Sequence, residues 1–279
     1  MPTPIPSLRP NERKAGGRRY RLVLAYDGSA YAGWQIQPGR PTVQARLEAA
    51  LSRLAGGPVK VHGSGRTDQG VHAAGQVAHC DLPFRLPPAN LSRALNALLP
   101  PDIRILRARA ADPQFHARRW AAGKEYRYVI WNGPVLPPFL RLYRAHVRAP
   151  LQLGAMRRAA AALAGRHDFA AFSANPRREQ ASTRRLVTRL SVSRRGPEVV
   201  IRAQGEGFLY KMVRSLAGFL IRVGSGAVPP GEARRILQSR IRTARVPTAP
   251  PQGLFLWRVW YPPERRPAGR SARREAGHA

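Results

Sequence analysis

Hydrophobic positions recur along this chain with two different periods, and together these periods predict a mixture of strands and helices. Segments rich in β-branched and aromatic residues, several with every second position hydrophobic, predict strands. These segments cover residues 21–26, 59–62, 71–79, 103–108, 126–131, 186–192, 199–203 and 254–261. Hydrophobic residues that recur every three or four positions predict helices. Such segments cover residues 43–54, 91–99, 156–163 and 208–223.

The connections between these segments indicate how the elements end and pair. Arg195-Gly196-Pro197 separates two alternating segments and predicts a β-hairpin. Gly56 and Gly224 follow hydrophobic helical stripes and predict helix ends, because glycine readily adopts the left-handed conformation found there. Strands, hairpins and helices in this order predict an α+β fold with a largely antiparallel sheet.

Length and composition predict a folded body between two tails. The chain has 279 residues, of which 43% are hydrophobic, enough for a large core in one or two domains. We predict a flexible basic tail over residues 1–18 and another over 264–279. Between them we predict an N-terminal α+β half over 19–112, which carries a glycine-rich loop around Asp68, and a C-terminal α+β half over 113–263.

The charge of the chain predicts a polyanionic partner. Lysine and arginine number 48 against 15 acidic residues, which gives a net charge of +33. The predicted tails hold only a small part of this excess, so the folded body is itself basic. A large surface of one sign attracts a partner of the opposite sign, and nucleic acid is the usual one.

The sequence gives no indication of membrane insertion, secretion or a bound cofactor. No stretch approaches the ~18 apolar residues of a membrane helix, and the N-terminus lacks a signal peptide. The single cysteine, Cys80, fits a reducing cytosol and is expected to be a small buried hydrophobic residue. The seven histidines show no metal-ligand spacing, and no dinucleotide or phosphate-loop motif is present. We therefore expect a cytoplasmic protein without metal or organic cofactor.

The segment from Gly63 to Ala73 carries the most distinctive chemistry in the chain. Asp68 lies there among three glycines, two residues after Arg66 and far from any other acid. Glycines let a ligand approach the backbone closely, although the same residues also form ordinary turns, which is the more common interpretation for this segment alone. A nearby arginine favours the ionised carboxylate, so Asp68 suits nucleophilic or electrostatic work at a sugar or base better than general-acid work.

Two other segments offer candidate binding residues. Arg214 lies near the start of the predicted helix over 208–223, on the side opposite the hydrophobic stripe, where a helix N-terminus also attracts anions. A phosphate or carboxylate contact and a solvated surface are equally supported for Arg214, whereas for Lys211 and Arg222 the solvated surface is favoured. Tyr126 and Tyr128 share one face of a strand, where one could stack on an unpaired base and the other belong to the core.

Several segments, taken together and in order, resemble the TruA family of tRNA pseudouridine synthases. They run from about residue 20 to residue 262, and the most specific is Arg66-Thr67-Asp68 with Gly70-Val71-His72-Ala73. The others are Tyr26-Asp27-Gly28 with Tyr31-Ala32-Gly33-Trp34-Gln35, Thr42-Val43-Gln44, Phe115-His116-Ala117-Arg118, Lys124-Glu125-Tyr126-Arg127-Tyr128, Asp168-Phe169 with Phe172, Phe208-Leu209-Tyr210-Lys211-Met212-Val213-Arg214, and Ala249-Pro250-Pro251 with Gly253-Leu254. Ser64 and Gln69 differ from the residues usual in the family, at positions that look variable.

The resemblance implies a fold, a reaction and a set of site residues. It implies two ferredoxin-like or RRM-like α+β halves that share a largely antiparallel central sheet, with a catalytic cleft between them. It implies isomerisation of uridine to pseudouridine at positions 38–40 of the tRNA anticodon stem-loop, without cofactor, by a homodimer. Asp68 would be the nucleophile and Arg66 would help to flip the target base out of the stem. Tyr126 would pack against the uracil, and Arg214 would pair with the catalytic carboxylate.

Two other functions are compatible with the sequence. The first is a noncatalytic RNA-binding protein or RNA chaperone that kept the scaffold, which the charge and the aromatic residues support equally well. The second is a synthase of the same chemistry that acts on another RNA, since target choice depends on surface shape. The basic tails lie outside the resemblance, and we expect them to add nonspecific affinity for tRNA.

Overall fold

The computed structural model describes residues 14–174 and 182–262. The strands are β1 Lys14–Tyr26, β2 Val61–Gly63, β3 His72–Arg85, β4 Ile103–Ala110, β5 Gly123–Asn132, β6 Ala145–Val147, β7 Gly165–Asp168, β8 Arg184–Arg195, β9 Glu198–Gly205 and β10 Leu254–Trp260. The helices are α1 Val43–Ala55, α2 Pro88–Leu98, α3 Leu153–Leu163, α4 Met212–Gly224 and α5 Glu232–Ser239. Single 3₁₀ turns lie at Pro138–Leu140, Ala170–Phe172 and Pro251–Gly253.

One sheet of ten strands runs through the part of the chain that the structure describes. Its main order is β4-β1-β3-β10-β5-β9-β8-β7, with β2 paired to β3 and β6 paired to β5. Only β3–β10 and β5–β6 are parallel among the described pairs. The last strand, β10, therefore lies between β3 of the first half and β5 of the second and joins them into one sheet. This confirms the predicted α+β fold with a shared, largely antiparallel sheet.

The core forms on the sheet face that alternate strand residues share. In β1, Tyr20, Leu22 and Leu24 are fully buried, whereas the residues between them are half-buried. A single cluster of buried hydrophobic residues runs from Tyr20 to Val259 in β10 and includes residues of both halves. Cys80 belongs to this cluster, and burial raises the pKa of its thiol to about 12, so its predicted role as a small buried hydrophobic residue is confirmed.

The predicted N-terminal tail is too long at its inner end. β1 begins at Lys14, and its first residues pair with the end of β3, for example Lys14 with Arg85. The pairing uses backbone hydrogen bonds, which need no hydrophobic alternation, so the pattern of residues gave no signal there. Residues 1–13 and 263–279 lie outside the described part of the chain. The boundary predicted between residues 112 and 113 stays a prediction.

The predicted helix over 208–223 begins later than the hydrophobic pattern suggests. Lys211 has a φ of 54°, in the left-handed region, and the helix starts at Met212. Gly224 is its last helical residue and Ser225 is the C-cap, so the predicted capping role of Gly224 is wrong. A Cβ at Gly224 would lie 2.7 Å from the sulfur of Met156, which shows that this glycine allows close packing against α3.

The side of α4 opposite the hydrophobic stripe is not a solvated surface. Gly218 is buried, and a Cβ there would lie 2.1 Å from the carbonyl oxygen of Pro247. The segment before β10 therefore covers this side of the helix, and Lys211 and Arg222 are both half-buried. The sequence pattern missed this cover because the covering segment has no regular period of its own. It also missed the short elements β6, β7 and α5.

The structure contains no helix, within the residues it describes, that is long and apolar enough to cross a membrane.

Candidate active site

A cleft of about 1540 Å³ lies where the two halves of the sheet meet, and it contains all four predicted site residues. The loop between β2 and β3 contributes Arg66 and Asp68 from the first half. β5 contributes Tyr126, and the first turn of α4 contributes Arg214. Asp68 and Arg214, which are 146 positions apart in the sequence, thus meet in one place.

Backbone and side-chain hydrogen bonds hold the loop that carries Asp68. The Trp34 N–H donates to the Thr67 carbonyl at 3.1 Å, and the Val71 N–H donates to the Asp68 carbonyl at 3.1 Å. The hydroxyls of Tyr26 and Thr67 lie 2.8 Å apart in a buried hydrogen bond. Because Thr67 is fixed to other elements and the Asp68 carbonyl accepts from Val71 within the loop, the carboxylate has a defined position in the cleft.

Gly33 allows a second loop to pack directly on this one. Its φ is 109°, which side chains rarely adopt, and a Cβ there would lie 2.6 Å from the Thr67 carbonyl oxygen and 3.1 Å from the Asp68 carbonyl carbon. Glycine is the residue that tolerates both the conformation and the contact. The Tyr31–Gln35 segment of the resemblance is thereby explained as a support for the Asp68 loop.

Arg214 is the cation that pairs with Asp68. Its Nη1 lies 3.1 Å from Asp68 Oδ2, with the arginine side chain 11% and the aspartate side chain 25% exposed. The Arg214 Nε also donates to the carbonyl of Ala249 at 2.8 Å, which fixes the direction of the guanidinium. The residues alone supported an anion contact and a solvated surface equally for Arg214. The structure shows a carboxylate contact.

Arg66 does not provide the neighbouring charge that the sequence suggested for Asp68. Its side chain is exposed and its Nε donates to Gln35 Oε1 at 3.1 Å. Residues two positions apart in a loop can point in different directions, so closeness in sequence was a poor guide here. Arg66 lies in the same cleft, with its guanidinium open to solvent.

The structure separates the roles of the two tyrosines. Tyr128 is fully buried and its hydroxyl donates to the Pro250 carbonyl at 3.0 Å, so it is the core residue. Tyr126 lines the cleft, 9% exposed, with its ring edge-on to Phe208 at 5.4 Å between centroids. Burial, with smaller contributions from Tyr26 and Asp68, raises the pKa of Tyr126, so it stays a neutral phenol at physiological pH.

Comparison with known proteins gives the family. A sequence model described as tRNA pseudouridine synthase matches residues 22–118 and 159–262. The tRNA pseudouridine synthase A of Myxococcus xanthus is 44% identical over 254 residues, which are 90% of this chain and 96% of that protein. The protein of the same name from Brevibacillus brevis is 45% identical over 244 residues, 88% of this chain and 100% of that one.

The chain belongs to the tRNA pseudouridine synthase family. Pseudouridine synthases are isomerases, and the protein is accordingly an isomerase. A chain in the crystal structure of a Cbf5-Nop10-Gar1 complex is also similar, with a TM-score of 0.29 and 17% identity over 73% of this chain and 54% of that one. A similarity of that size carries no conclusion.

His72 belongs to the most specific segment of the resemblance, just after the Asp68 loop. Its two ring nitrogens form hydrogen bonds with both halves of this synthase. Its Nε2 donates to the Leu142 carbonyl at 2.8 Å, and its Nδ1 accepts from the Gly28 N–H at 3.0 Å. Burial lowers the pKa of His72, against the opposing effect of Asp27. The Tyr143 hydroxyl donates to Asp27 Oδ2 at 2.6 Å and closes the connection.

The sequence missed several residues that line the cleft of this synthase. They are chiefly cationic or aromatic and include His62, His116, Arg118, Lys124 and Tyr210. Lys124 could have been found, because it lies two residues before Tyr126 on the same strand and residues two apart share a face. His62 lies on the short strand β2, and the other three lie in loops, where no periodicity indicates which way a side chain points.

Proposed function

We propose that the protein isomerises uridine to pseudouridine at positions 38–40 of the tRNA anticodon stem-loop, with Asp68 as the nucleophile. The observation that carries this proposal is the Asp68–Arg214 pair in the cleft, at 3.1 Å, beside the ring of Tyr126. The relatives named tRNA pseudouridine synthase A, which this chain matches over nearly their whole length, support the choice of substrate.

The reaction is an internal rearrangement of one nucleotide. The bond between the sugar C1′ and uracil N1 breaks, the uracil turns, and a bond forms between C1′ and C5; C5 loses a proton and N1 gains one. Asp68 attacks the ring or the sugar and leaves again, so no atom of the enzyme is consumed. Since the detached uracil stays in the site, no second substrate and no organic cofactor are needed.

The other site residues have roles that suit their positions. The guanidinium of Arg214 holds the Asp68 carboxylate by a charge-assisted hydrogen bond. Tyr126 offers an aromatic surface at the inner end of the cleft against which the uracil packs. The exposed Arg66 enters the stem when the target base leaves it, at a cost in unpairing of a few kcal/mol.

We also propose a cytoplasmic homodimer whose two subunits both contact the tRNA. The proposal rests on the family resemblance and on the basic charge of the folded body, which suits a polyanionic substrate larger than one cleft. A noncatalytic RNA-binding protein is the competing function. The charged and aromatic residues fit it equally, whereas an arginine-paired aspartate in the cleft favours the enzyme.

The proposed function is tested by incubating the purified protein with unmodified tRNA transcript and mapping pseudouridine by carbodiimide-dependent primer extension. We expect pseudouridine on the 3′ side of the anticodon stem-loop with the wild type and none with Asp68→Asn, a substitution that keeps the shape of the side chain. Asp68→Asn should retain tRNA binding. Tight binding without any pseudouridine in the wild type would favour the RNA-binding protein, and pseudouridine elsewhere would indicate another target.

A further inference from the structure

The balance of charges inside the cleft is strongly uneven. Asp68 is the one carboxylate among the described residues that line it, and Arg214 already pairs with that carboxylate. Six further cationic side chains line the same cleft: Arg40, Arg66, Arg118, Lys124, Arg185 and Lys211. Most are exposed or reach solvent, whereas Lys124 is half-buried and its Nζ is held by the carbonyl of Ser64.

Lys124 is an ammonium in an unfavourable environment. Its Nζ donates to the carbonyl of Ser64 at 2.7 Å, and within the described chain it has no carboxylate within ion-pair distance. Burial, and then repulsion from Arg118, lower the pKa of Lys124 to about 8. A buried charge without a counter-charge costs free energy, and a second cation beside it adds to the cost.

The surroundings of Lys124 explain how the ammonium is held. A Cβ at Gly65 would lie 2.7 Å from Nζ, so the lysine reaches past a position that has no side chain. Gln76 separately fixes the neighbouring carbonyl, that of Gly65, at 2.9 Å. Gln76 on β3 thus satisfies the Gly65 carbonyl, whereas the Ser64 carbonyl accepts from Lys124.

Arg118 completes a site of two cations at the edge of the cleft. It follows a turn in which His116 Nδ1 accepts the Arg118 N–H at 3.2 Å, and its side chain is exposed, with no carboxylate partner in the part of the chain that the structure describes. Arg118 and Lys124 line the same cleft, and repulsion from Arg118 adds to the lowering of the Lys124 pKa. The ring of His116 also lines the cleft on this side.

We propose that Lys124 and Arg118 form a subsite that binds a backbone phosphate of the RNA substrate next to the target uridine. The backbone of an RNA substrate carries phosphodiester anions. One of them would supply the negative charge that both cations lack. The inference rests on the proposed function for the identity of the ligand. Lys124 lies on the same strand as Tyr126, two residues away, so the bound phosphate would lie beside the nucleotide whose base packs on Tyr126.

The subsite predicts a change in the salt dependence of RNA binding. Each protein–phosphate contact contributes about 0.7–0.9 to the slope of log K against log salt concentration. We expect Lys124→Met to weaken binding of an anticodon stem-loop and to reduce this slope by about one contact. Lys124→Arg, which keeps the charge, should keep the slope. Lys60→Met is the matched control, because Lys60 is an exposed lysine outside the cleft.

Coupling between the two cations gives a second measurement. If both contact the same phosphate, the loss from Lys124→Met with Arg118→Met should be smaller than the sum of the two single losses, in a double-mutant cycle of stem-loop affinity. Additive losses, or a Lys124→Met slope equal to the wild-type slope, would overturn the subsite and leave Lys124 as a support for the Ser64 turn.

Failure of the subsite and failure of the proposed function give different results. Active wild-type enzyme together with an unchanged Lys124→Met slope would reject the subsite alone. A reduced slope in a protein that makes no pseudouridine would reject the proposed reaction and leave the phosphate site standing. Thermal unfolding of each variant is measured alongside. If Lys124→Met is too unstable to assay, Arg118→Met at an exposed position keeps the test valid, because it should reduce the slope by about one contact as well.

Discussion

At the scale of single residues, distance along the chain was a poor guide to which groups meet. Arg66 is two positions from Asp68, yet its guanidinium donates to Gln35. Arg214 is 146 positions away, yet its Nη1 lies 3.1 Å from the carboxylate. Arg66 is therefore exposed at the cleft, whereas Arg214 is held by the Asp68 carboxylate and the Ala249 carbonyl.

Substitution of Arg66 tests the proposed role in base flipping. Arg66→Ala should lower the turnover of a fully paired stem-loop about tenfold or more, equivalent to ~1.4 kcal/mol of barrier. The dissociation constant should change by less than about threefold, because one exposed arginine is one of many phosphate contacts. On a stem-loop whose target uridine is mismatched, the loss of turnover should shrink, since less unpairing is required.

The control for this prediction is Arg93→Ala, an exposed arginine on α2 outside the cleft, which should leave both constants near the wild-type values. Single-turnover rates and anisotropy titrations give the two quantities. Equal losses of turnover and affinity for Arg66→Ala, on paired and mismatched stem-loops alike, would speak for simple RNA binding by Arg66.

At the scale of elements, the site depends on two loops that pack together and on where α4 begins. Lys211 in the left-handed region stops the helical conformation before Met212 and makes Arg214 the third helical residue. Left-handed backbone in a residue with a side chain is strained, and such strain is often found at functional sites. The loop around Gly33 supports the Asp68 loop from the other side.

A pair of glycine substitutions tests this support. Gly33 and Gly39 both have positive φ, 109° and 68°, but a Cβ at Gly39 would meet nothing within 4 Å. Each change to alanine should cost about 1–2 kcal/mol for the backbone conformation alone. Gly33→Ala should in addition push the Thr67 carbonyl and lower turnover about tenfold, which is a further ~1.4 kcal/mol of barrier.

Urea unfolding measures the loss of stability, and single-turnover rates at saturating RNA measure the rise in the catalytic barrier. The Gly39→Ala variant should be less stable than the wild type but should keep the wild-type rate. It is therefore the matched control for the cost of placing alanine at a positive φ. If Gly33→Ala kept the wild-type rate, the contact with the Asp68 loop would have no role in positioning the carboxylate.

At the scale of the whole molecule, β10 and the net charge decide how the protein meets RNA. β10 pairs with β3 of the first half and β5 of the second, and the cleft lies where these halves meet. The charge of +33 per chain attracts RNA and repels a second copy of the protein. Salt screens both effects, and the proposed homodimer and its RNA complex should therefore respond to salt in opposite directions.

Sedimentation equilibrium tests the homodimer directly. At micromolar concentration we expect a mass twice the 30.8 kDa of one chain, with dimer association unchanged or strengthened as salt rises. Affinity for tRNA should fall steeply over the same range. A mass of one chain at every salt concentration would contradict the homodimer, and tRNA affinity independent of salt would contradict binding through phosphates.

The sequence by itself determined the fold class and most of the longer helices and strands. Periodicity placed α1, β5 and the β8–β9 hairpin close to their observed bounds, because each buries one face and the burial fixes the pattern. Local chemistry and family resemblance singled out Asp68, Arg66, Tyr126 and Arg214, and all four line one cleft. Their individual roles remain predictions.

Family resemblance implied the Asp68–Arg214 pair, but the residues by themselves left open which of these groups contact each other, and the tertiary structure decided it. That Tyr128 is core while Tyr126 faces the cleft, that Asp68 pairs with Arg214, and that Lys124 lacks a counter-charge all depend on β10 joining the halves. Such contacts join residues that are far apart in the sequence. The periodicity of hydrophobic residues predicts only whether a side chain is buried. Which partner it meets depends on how separate elements pack, and no single segment of the chain carries that information.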